Sequence, residues 1–183
     1  MDTAFTLAWQ HAVGLVHPED LPMAAARLLA ENLDSPALRD LAGRSRNDGT
    51  TELDALLRKA MGELGVAVPD QEIAERCLLR HQAARLTAGE ATSGEVAAAL
   101  WHGMADTATD PEIRFLRAAL EDEYYLDHME AHRPEAFRAW ENTLRAAATA
   151  LDTADDSPLT PGSLPDRARR PGPIPNKMAG GGC

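Results

Sequence analysis

Residues 51–65 read TELDALLRKAMGELG, and this stretch gives the clearest indication of the fold. Its apolar residues recur at the three- and four-residue spacing that places side chains on one face of an α-helix. They are Leu53, Leu56, Leu57, Ala60, Met61 and Leu64. Thr50 or Thr51 is placed to cap the helix, and Gly65 is placed to end it in a left-handed turn. The stretch therefore predicts an amphipathic helix with both ends marked.

The region before this helix carries signals for three shorter helices. Apolar residues at helical spacing between positions 5 and 16 predict a first helix that ends near Pro18. Asp20 is placed to cap a second helix, and Ser35 stands before a proline, as at the start of a short third one. The polar residues 43–50, GRSRNDGT, predict a loop. The first four helices are thus expected in direct succession along the chain.

Four further helices are expected after Gly65. A long one covers residues 69–87, and a sixth begins at a capping Thr92 or its neighbour. Asp110 is placed to cap a seventh helix, because it is followed by a proline and a glutamate, a sequence that is typical of the start of a helix. Pro134 interrupts the pattern, and the helix after it carries a regular apolar seam of the kind that packs lengthwise on other helices.

The same spacing assigns side chains to the interior or to the surface. On the long fifth helix, four charged side chains are expected to face water: Glu72, Glu75, Arg76 and Arg80. On the seventh helix, three apolar side chains are expected to face the core: Ile113, Leu116 and Leu120. The tryptophans Trp9, Trp101 and Trp140 occupy apolar helical positions, so core packing is expected to explain them.

Together these patterns predict an all-α fold, a bundle of about seven to eight short amphipathic helices. Ala, Leu, Glu and Arg dominate this part of the chain, and no run of β-branched residues indicates a strand. The helical domain is expected to cover residues 1–152. Residues 153–183 are rich in Pro, Gly and Arg and offer little apolar surface to offset the entropy of ordering, so a disordered tail is predicted there.

The charge of the chain narrows the classes of partner. It contains 29 acidic and 18 basic residues, which gives a formal net charge of −11 at neutral pH. Nucleic acids and anionic membranes are bound mainly through Lys and Arg, so neither is expected as a partner. An acidic surface favours solubility and attracts basic proteins. A protein partner is therefore the expectation.

Cysteine content and hydropathy indicate the compartment. Only Cys77 and Cys183 occur, so there is no disulfide framework and no pair spaced for metal binding. No stretch approaches the ~20 consecutive apolar residues of a membrane span, and residues 1–5 lack the features of a secretory signal. A cytoplasmic location is expected.

One segment shows a resemblance. Residues 35–41, SPALRDL, are followed by AGRSRND and then by ELDALLRKAMGELG. This succession resembles a pattern in small acidic helical proteins of high-GC actinobacteria and covers about the first third of the chain. The matching residues contain no catalytic signature, so the resemblance implies a helical fold and neither an activity nor a site residue.

His128 and His132 form the best local candidate for a metal site. The sequence HMEAH over residues 128–132 places both histidines on the same side of a helix, one turn apart, with Glu121 or an outside carboxylate as a further ligand. The order HxExH differs from the HExxH of zinc proteases. The alternative is a solvated helix end, where histidines interact favourably with the helix dipole.

The predicted tail supplies the remaining candidates. Cys183 is a thiol at the last position, and three interpretations stay open: a terminus without a role, a thiol used for linkage, and a precursor tail that a partner enzyme modifies or cleaves. Arg167, Arg169 and Arg170 form a basic cluster in an acidic protein, which suggests docking to a partner or proteolysis.

No phosphate-binding loop, dinucleotide fingerprint or nucleophile elbow occurs in the sequence, so no cofactor is expected. The sequence therefore favours a non-enzymatic helical interaction, adaptor or regulatory protein. Two alternatives remain: a precursor or carrier that works through Cys183, and a metal-dependent enzyme that uses His128 and His132.

Overall fold

The structure is a computed structural model that describes residues 3–101, 103–104, 108–121 and 126–154, without the side chains of residues 127 and 128. Within these ranges it contains nine α-helices, one short 3-10 turn and no strand, which confirms the all-α prediction. The predicted tail lies outside the described residues from position 155 onward. None of the helices in the described ranges has the length and apolarity needed to cross a membrane.

The helices follow one another through short connections. Their bounds are α1 Ala4–Ala12, α2 Leu21–Ala30, α3 Pro36–Ala42, α4 Thr50–Glu63, α5 Gln71–Thr87, α6 Ser93–Ala98, α7 Asp110–Leu120, α8 Leu126–His132 and α9 Pro134–Asp152. The 3-10 turn covers Pro18–Asp20 and leads directly into α2.

Several predicted helix ends are confirmed. The Ser35 hydroxyl accepts from the amide of Leu38 at 3.1 Å at the start of α3. Thr92 and Glu95 form a capping box at the start of α6, in which each side chain accepts from the other residue's amide. Gly65 follows α4 with a φ of +68°, the left-handed conformation that glycine adopts at least cost.

Other ends differ from the prediction by a few residues. Helix α1 ends at Ala12 rather than near Pro18, because the chain turns at Gly14 with a φ of +78°. Helix α4 begins at Thr50, and Gly49 takes the capping position without a side-chain bond. Asp20 precedes α2 but its side chain caps no amide. The predicted side-chain caps of α2 and α4 are therefore not formed.

The buried apolar residues form two clusters. The first joins α1, α2, α3 and α4, and its fully buried members include Leu21, Leu38, Leu41 and Leu53. The second joins α5, α6, α7, α8 and α9, and its fully buried members include Leu79, Leu86, Phe115 and Leu144. The chain therefore folds around two successive apolar interiors.

Helix α1 belongs to both clusters. Its Leu7 is buried in the first cluster, whereas its Trp9 is buried in the second. The Trp9 ring lies 5.4 Å from the ring of His81 on α5, and burial there, together with the nearby positive Arg85, lowers the pKa of His81. Nε2 of His11 lies 3.0 Å from Oδ1 of Asp54 on α4. One short helix thus joins the two halves.

Helix α5 is the centre of the second half. It packs against α1, α6, α7 and α9, so it carries buried side chains around most of its circumference. The prediction that Arg76 and Arg80 face water is wrong: Arg76 is buried and the Arg80 side chain is only 12 % exposed. A helix that is covered around most of its circumference shows no single apolar face, which is why the spacing of apolar residues gave the wrong orientation for these two arginines.

We expect that Trp9→Ala destabilises the whole chain by about 3–5 kcal/mol, the usual cost of removing a buried aromatic side chain. The reason is that Trp9 fastens α1 to the second cluster. Urea unfolding followed by far-UV circular dichroism measures the change. Leu15→Ala, at an exposed position just after α1, is the matched control and should stay within about 0.5 kcal/mol of the unmodified chain. Equal midpoints for both variants would contradict this role of Trp9.

Candidate interaction groove

The start of α7 is fixed by a buried carboxylate. Glu112 is 0 % exposed, and its Oε2 accepts from Nε of Arg76 at 3.0 Å, while its Oε1 accepts from Nε of Arg80 at 3.0 Å. Its Oε2 also accepts from the amide of Thr109 at 2.6 Å and from the Thr109 hydroxyl at 2.9 Å. Thr109, not the predicted Asp110, is therefore the cap of α7. Two arginines of α5 hold this helix end in place.

The electrostatics of this cluster favour the charged form of Glu112. Burial raises the pKa of Glu112, but hydrogen bonds from Thr109 and Arg76 and the positive charge of Arg76 outweigh it, so the pKa lies below its ordinary value. Nη2 of Arg76 is buried and has no hydrogen-bond partner among the residues that the structure describes. An unpaired buried N–H lowers stability, so the contact between Arg76 and Glu112 stabilises the fold less than the contact between Arg80 and Glu112 does.

Helix α7 carries apolar side chains on two faces. Phe115, Ala118 and Ala119 pack into the second cluster, and Nε1 of Trp140 on α9 donates to the carbonyl of Ala118 at 2.9 Å. Ile113, however, is 39 % exposed. Of the three α7 side chains expected in the core, Leu120 is buried and Leu116 is partly buried against the second cluster, whereas the prediction is wrong for Ile113.

The second apolar face of α7 lines a groove of about 490 Å³. Its described lining residues are Gly103, Ile113, Leu116, Arg117, Leu120 and Glu121. Three of them are aliphatic and follow one another at helical spacing, and one charge of each sign lies at their edge. A cleft of this size, with apolar walls and few polar groups, is typical of sites that accept a ligand or a peptide side chain.

Trp101 adds an aromatic surface close to the groove. It is 41 % exposed, and it follows the end of α6 at Ala98, so the prediction that it packs in the core is wrong. It stands two positions before Gly103, which lines the groove, so the two Cα atoms are at most about 7.6 Å apart. Exposed tryptophan is enriched at sites of recognition.

A second cleft is smaller. It has a volume of about 170 Å³ and is lined by Leu86, Thr87, Arg145 and Thr149 between the ends of α5 and α9. It contains one aliphatic side chain and no acidic or nucleophilic cluster among its described residues. Of these two clefts, the α7 groove has the larger volume and the more aliphatic lining among the described residues.

The histidines predicted as metal ligands lie on α8. His128 and His132 belong to the same short helix, His132 is exposed, and the side chain of His128 lies outside the described residues. Over the described part of the chain, no three His, Cys, Asp or Glu side chains are grouped as a metal ion requires. The metal site stays a prediction.

The candidates in the tail fall outside the residues that the structure describes. These are Arg167, Arg169, Arg170 and Cys183.

Comparisons with known proteins find no matching family model, no matching curated protein and no matching solved structure. The geometry of the chain itself is thus the basis for a functional proposal.

Sequence reasoning missed the groove, although one signal was present. Helix α7 has apolar residues at 113, 115, 116, 118, 119 and 120, which is more than one helix face holds. Most of these residues pack against α5, α6 and α9, and the remainder lines the groove.

We expect Glu112→Gln to lower the free energy of unfolding more than Arg76→Met does. Glu112→Gln removes the carboxylate that Arg76 and Arg80 share, and breaking a buried pair in this way costs about 3–5 kcal/mol. Arg76→Met leaves the contact between Arg80 and Glu112 and removes an unpartnered N–H, so it should cost only about 1.5–3 kcal/mol, the worth of one charged hydrogen bond. Chemical denaturation measures both. The opposite ranking would show that Arg76 is the dominant contact.

The destabilisation by Glu112→Gln should also depend on pH. Because the folded-state pKa of Glu112 is lowered, its contribution is fully present above the unfolded value, about 4.3, and is lost as the pH falls through the folded value. The difference between the unmodified chain and Glu112→Gln should therefore shrink below about pH 4. Unfolding at pH 3 to 7 measures it, with the exposed Glu19→Gln as control. A difference that is constant over this range would exclude an ionised Glu112.

Proposed function

We propose that the chain is a non-enzymatic helical interaction protein, an adaptor or regulator, that binds a segment of a protein partner in the α7 groove. The observation that carries this proposal is the aliphatic wall of the groove, where Ile113 is exposed and Leu116 and Leu120, which also pack against the second cluster, lie beside it. Burying such a face contributes about 25 cal/mol for each Å² removed from water.

The shape of the groove favours a peptide segment over a small polar substrate. Its walls are mainly apolar, and the charged groups among its described lining residues are Arg117 on α7 and Glu121, which directly follows the end of α7. These two charges have opposite sign and leave no concentrated charge of either sign among the described lining residues. A ligand that fits places apolar side chains between Ile113 and Leu120 and charged groups at the edge.

The charge of the chain as a whole favours a basic partner. The net charge is −11, and an acidic protein attracts basic segments at long range and increases their rate of association. Direct contact then depends on the apolar walls, since rim charges mainly affect the association rate. The partner segment that we propose is therefore extended or helical, apolar along one side and basic.

The groove also explains why α7 is fastened so firmly at its start. A helix that presents one face to a partner needs its other face and its end held by the protein, because an ordered surface loses less entropy on binding. Glu112, Arg76 and Arg80 provide that anchorage next to Ile113. The buried cluster thus supports the groove without lining it.

We expect Ile113→Glu to abolish partner binding, because it places a charge on the apolar wall of the groove. Proteins from the native host that are cross-linked to the full chain and identified by mass spectrometry provide the measurement. Since Ile113 is partly exposed, folding should be unaffected, and circular dichroism checks this.

Met23→Glu is the matched control. Met23 is 62 % exposed on α2, in the first half of the chain, so Met23→Glu makes the same kind of change at another apolar surface position. The proposal requires a protein that is recovered with the unmodified chain and with Met23→Glu and is lost with Ile113→Glu. If both variants recover the same proteins, the groove is not the binding site.

A further inference from the structure

The described chain leaves the bundle beside α7. The last described residue is Ala154, and its carbonyl oxygen lies 3.5 Å from Nη1 of Arg80. Nε of the same Arg80 side chain donates to Glu112, which is the neighbour of Ile113 in α7. The rest of the chain, residues 155–183, therefore starts next to the helix that lines the groove.

The groove is within reach of this segment. Helix α7 contains 11 residues and is about 16 Å long at 1.5 Å per residue. The twelve residues 155–166 span up to about 40 Å when extended, at ~3.3 Å per residue. A linker of this length gives the segment that follows it an effective concentration of about 1 mM at the groove. A segment that binds with a dissociation constant of ~0.1 mM would thus be docked in about nine of ten molecules.

Residues 167–175, RARRPGPIP, have the chemistry that the groove selects. They carry three arginines and no acidic residue, in a chain whose residues 1–152 sum to −12. They also contain three prolines and Ile174. Proline-rich sequences favour the extended polyproline II conformation, which costs little entropy to bind and docks into grooves that present aromatic side chains.

The groove offers a counterpart for each of these features. Among the described residues, Trp101 is an exposed aromatic side chain two positions from the lining residue Gly103, and the aliphatic wall of Ile113, Leu116 and Leu120 suits an apolar side chain. Glu121 at the edge suits a basic residue. Tryptophan stacks with proline and with arginine, so the aromatic surface serves both halves of the segment.

We propose that residues 167–175 of the same molecule occupy the α7 groove as an internal ligand, with Ile174 against the aliphatic wall and the prolines beside Trp101. This inference rests on the proposed function, because it assigns the same groove. It adds a regulatory consequence: a partner with a basic, proline-rich segment gains access by displacing the chain's own segment. The partner that we propose is therefore a protein with a basic, proline-rich segment.

A second copy of the chain is a less suitable occupant. Two molecules of net charge −11 repel each other at long range. An antiparallel pairing of the two α7 faces that places Leu116 opposite Leu120 would also bring the two Arg117 side chains close together. Both effects oppose self-association through this face.

The exposed Trp101 makes the proposal testable in the full chain. Incorporation of 5-fluorotryptophan gives one ¹⁹F resonance for each of the three tryptophans, and Trp101→Phe assigns the resonance of Trp101. Replacing Arg167, Arg169 and Arg170 by Ala together with Ile174→Glu should shift the Trp101 resonance and leave those of the buried Trp9 and Trp140 in place. Leu159→Glu, outside the segment, is the control and should shift none of them.

A synthetic peptide with the sequence of residues 165–177, PDRARRPGPIPNK, completes the test. Added to the tail variant, it should return the Trp101 resonance to its original position, and Ile113→Glu in that variant should weaken its binding at least about tenfold, as expected from a charge on an apolar wall. The unmodified chain should bind the peptide more weakly than the tail variant does, because its own segment competes.

Three results would overturn the internal ligand. A Trp101 resonance that is the same in the unmodified chain and the tail variant would show that the segment does not dock. A resonance position that depends on protein concentration would show that a second molecule supplies the segment. Binding of the peptide that Ile113→Glu leaves unchanged would show another binding site. If the segment does not dock but a partner is still lost with Ile113→Glu, only the internal ligand is wrong and the interaction groove stands.

Discussion

The second half of the chain depends on one buried carboxylate. Glu112 is withdrawn from water and receives hydrogen bonds from Arg76, Arg80 and Thr109, so it joins the centre of α5 to the start of α7. A buried charge costs several kcal/mol unless its hydrogen bonds are satisfied, and a partly satisfied cluster tolerates little displacement. The position and rotation of α7 follow from this constraint, and with them the direction in which its second apolar face points.

The functional interpretation follows from that rotation. With Glu112 turned inward, Phe115 packs into the core, and Ile113 is left at the surface. A slightly different rotation would bury Ile113 and expose the carboxylate. The groove is therefore a consequence of an electrostatic arrangement as much as of an apolar one, and it joins the anchored helix, the exposed Trp101 and the emerging chain end in one region of the molecule.

The sequence predicted the helices well and the site poorly, for identifiable reasons. The start of α3 at Ser35 and the end of α4 at Gly65 were predicted correctly, because such helix ends depend only on neighbouring residues. The orientation of Arg76 depends on a glutamate 36 positions away, which local spacing does not show. Exposed Trp101 could not be recognised either, because an apolar residue at helical spacing reads as core until the end of the helix is known.

The sharing of α1 between two apolar interiors has a consequence during synthesis. Trp9 leaves the ribosome 65 positions before Ala74, the first residue of α5 that belongs to the same buried cluster. At ~5–20 residues per second, the Trp9 side chain stays uncovered for roughly 3–13 s, even after α2, α3 and α4 have become available. The nascent first half therefore exposes an aromatic side chain that only later sequence covers, which makes this interval the stage at which chaperones have most to protect.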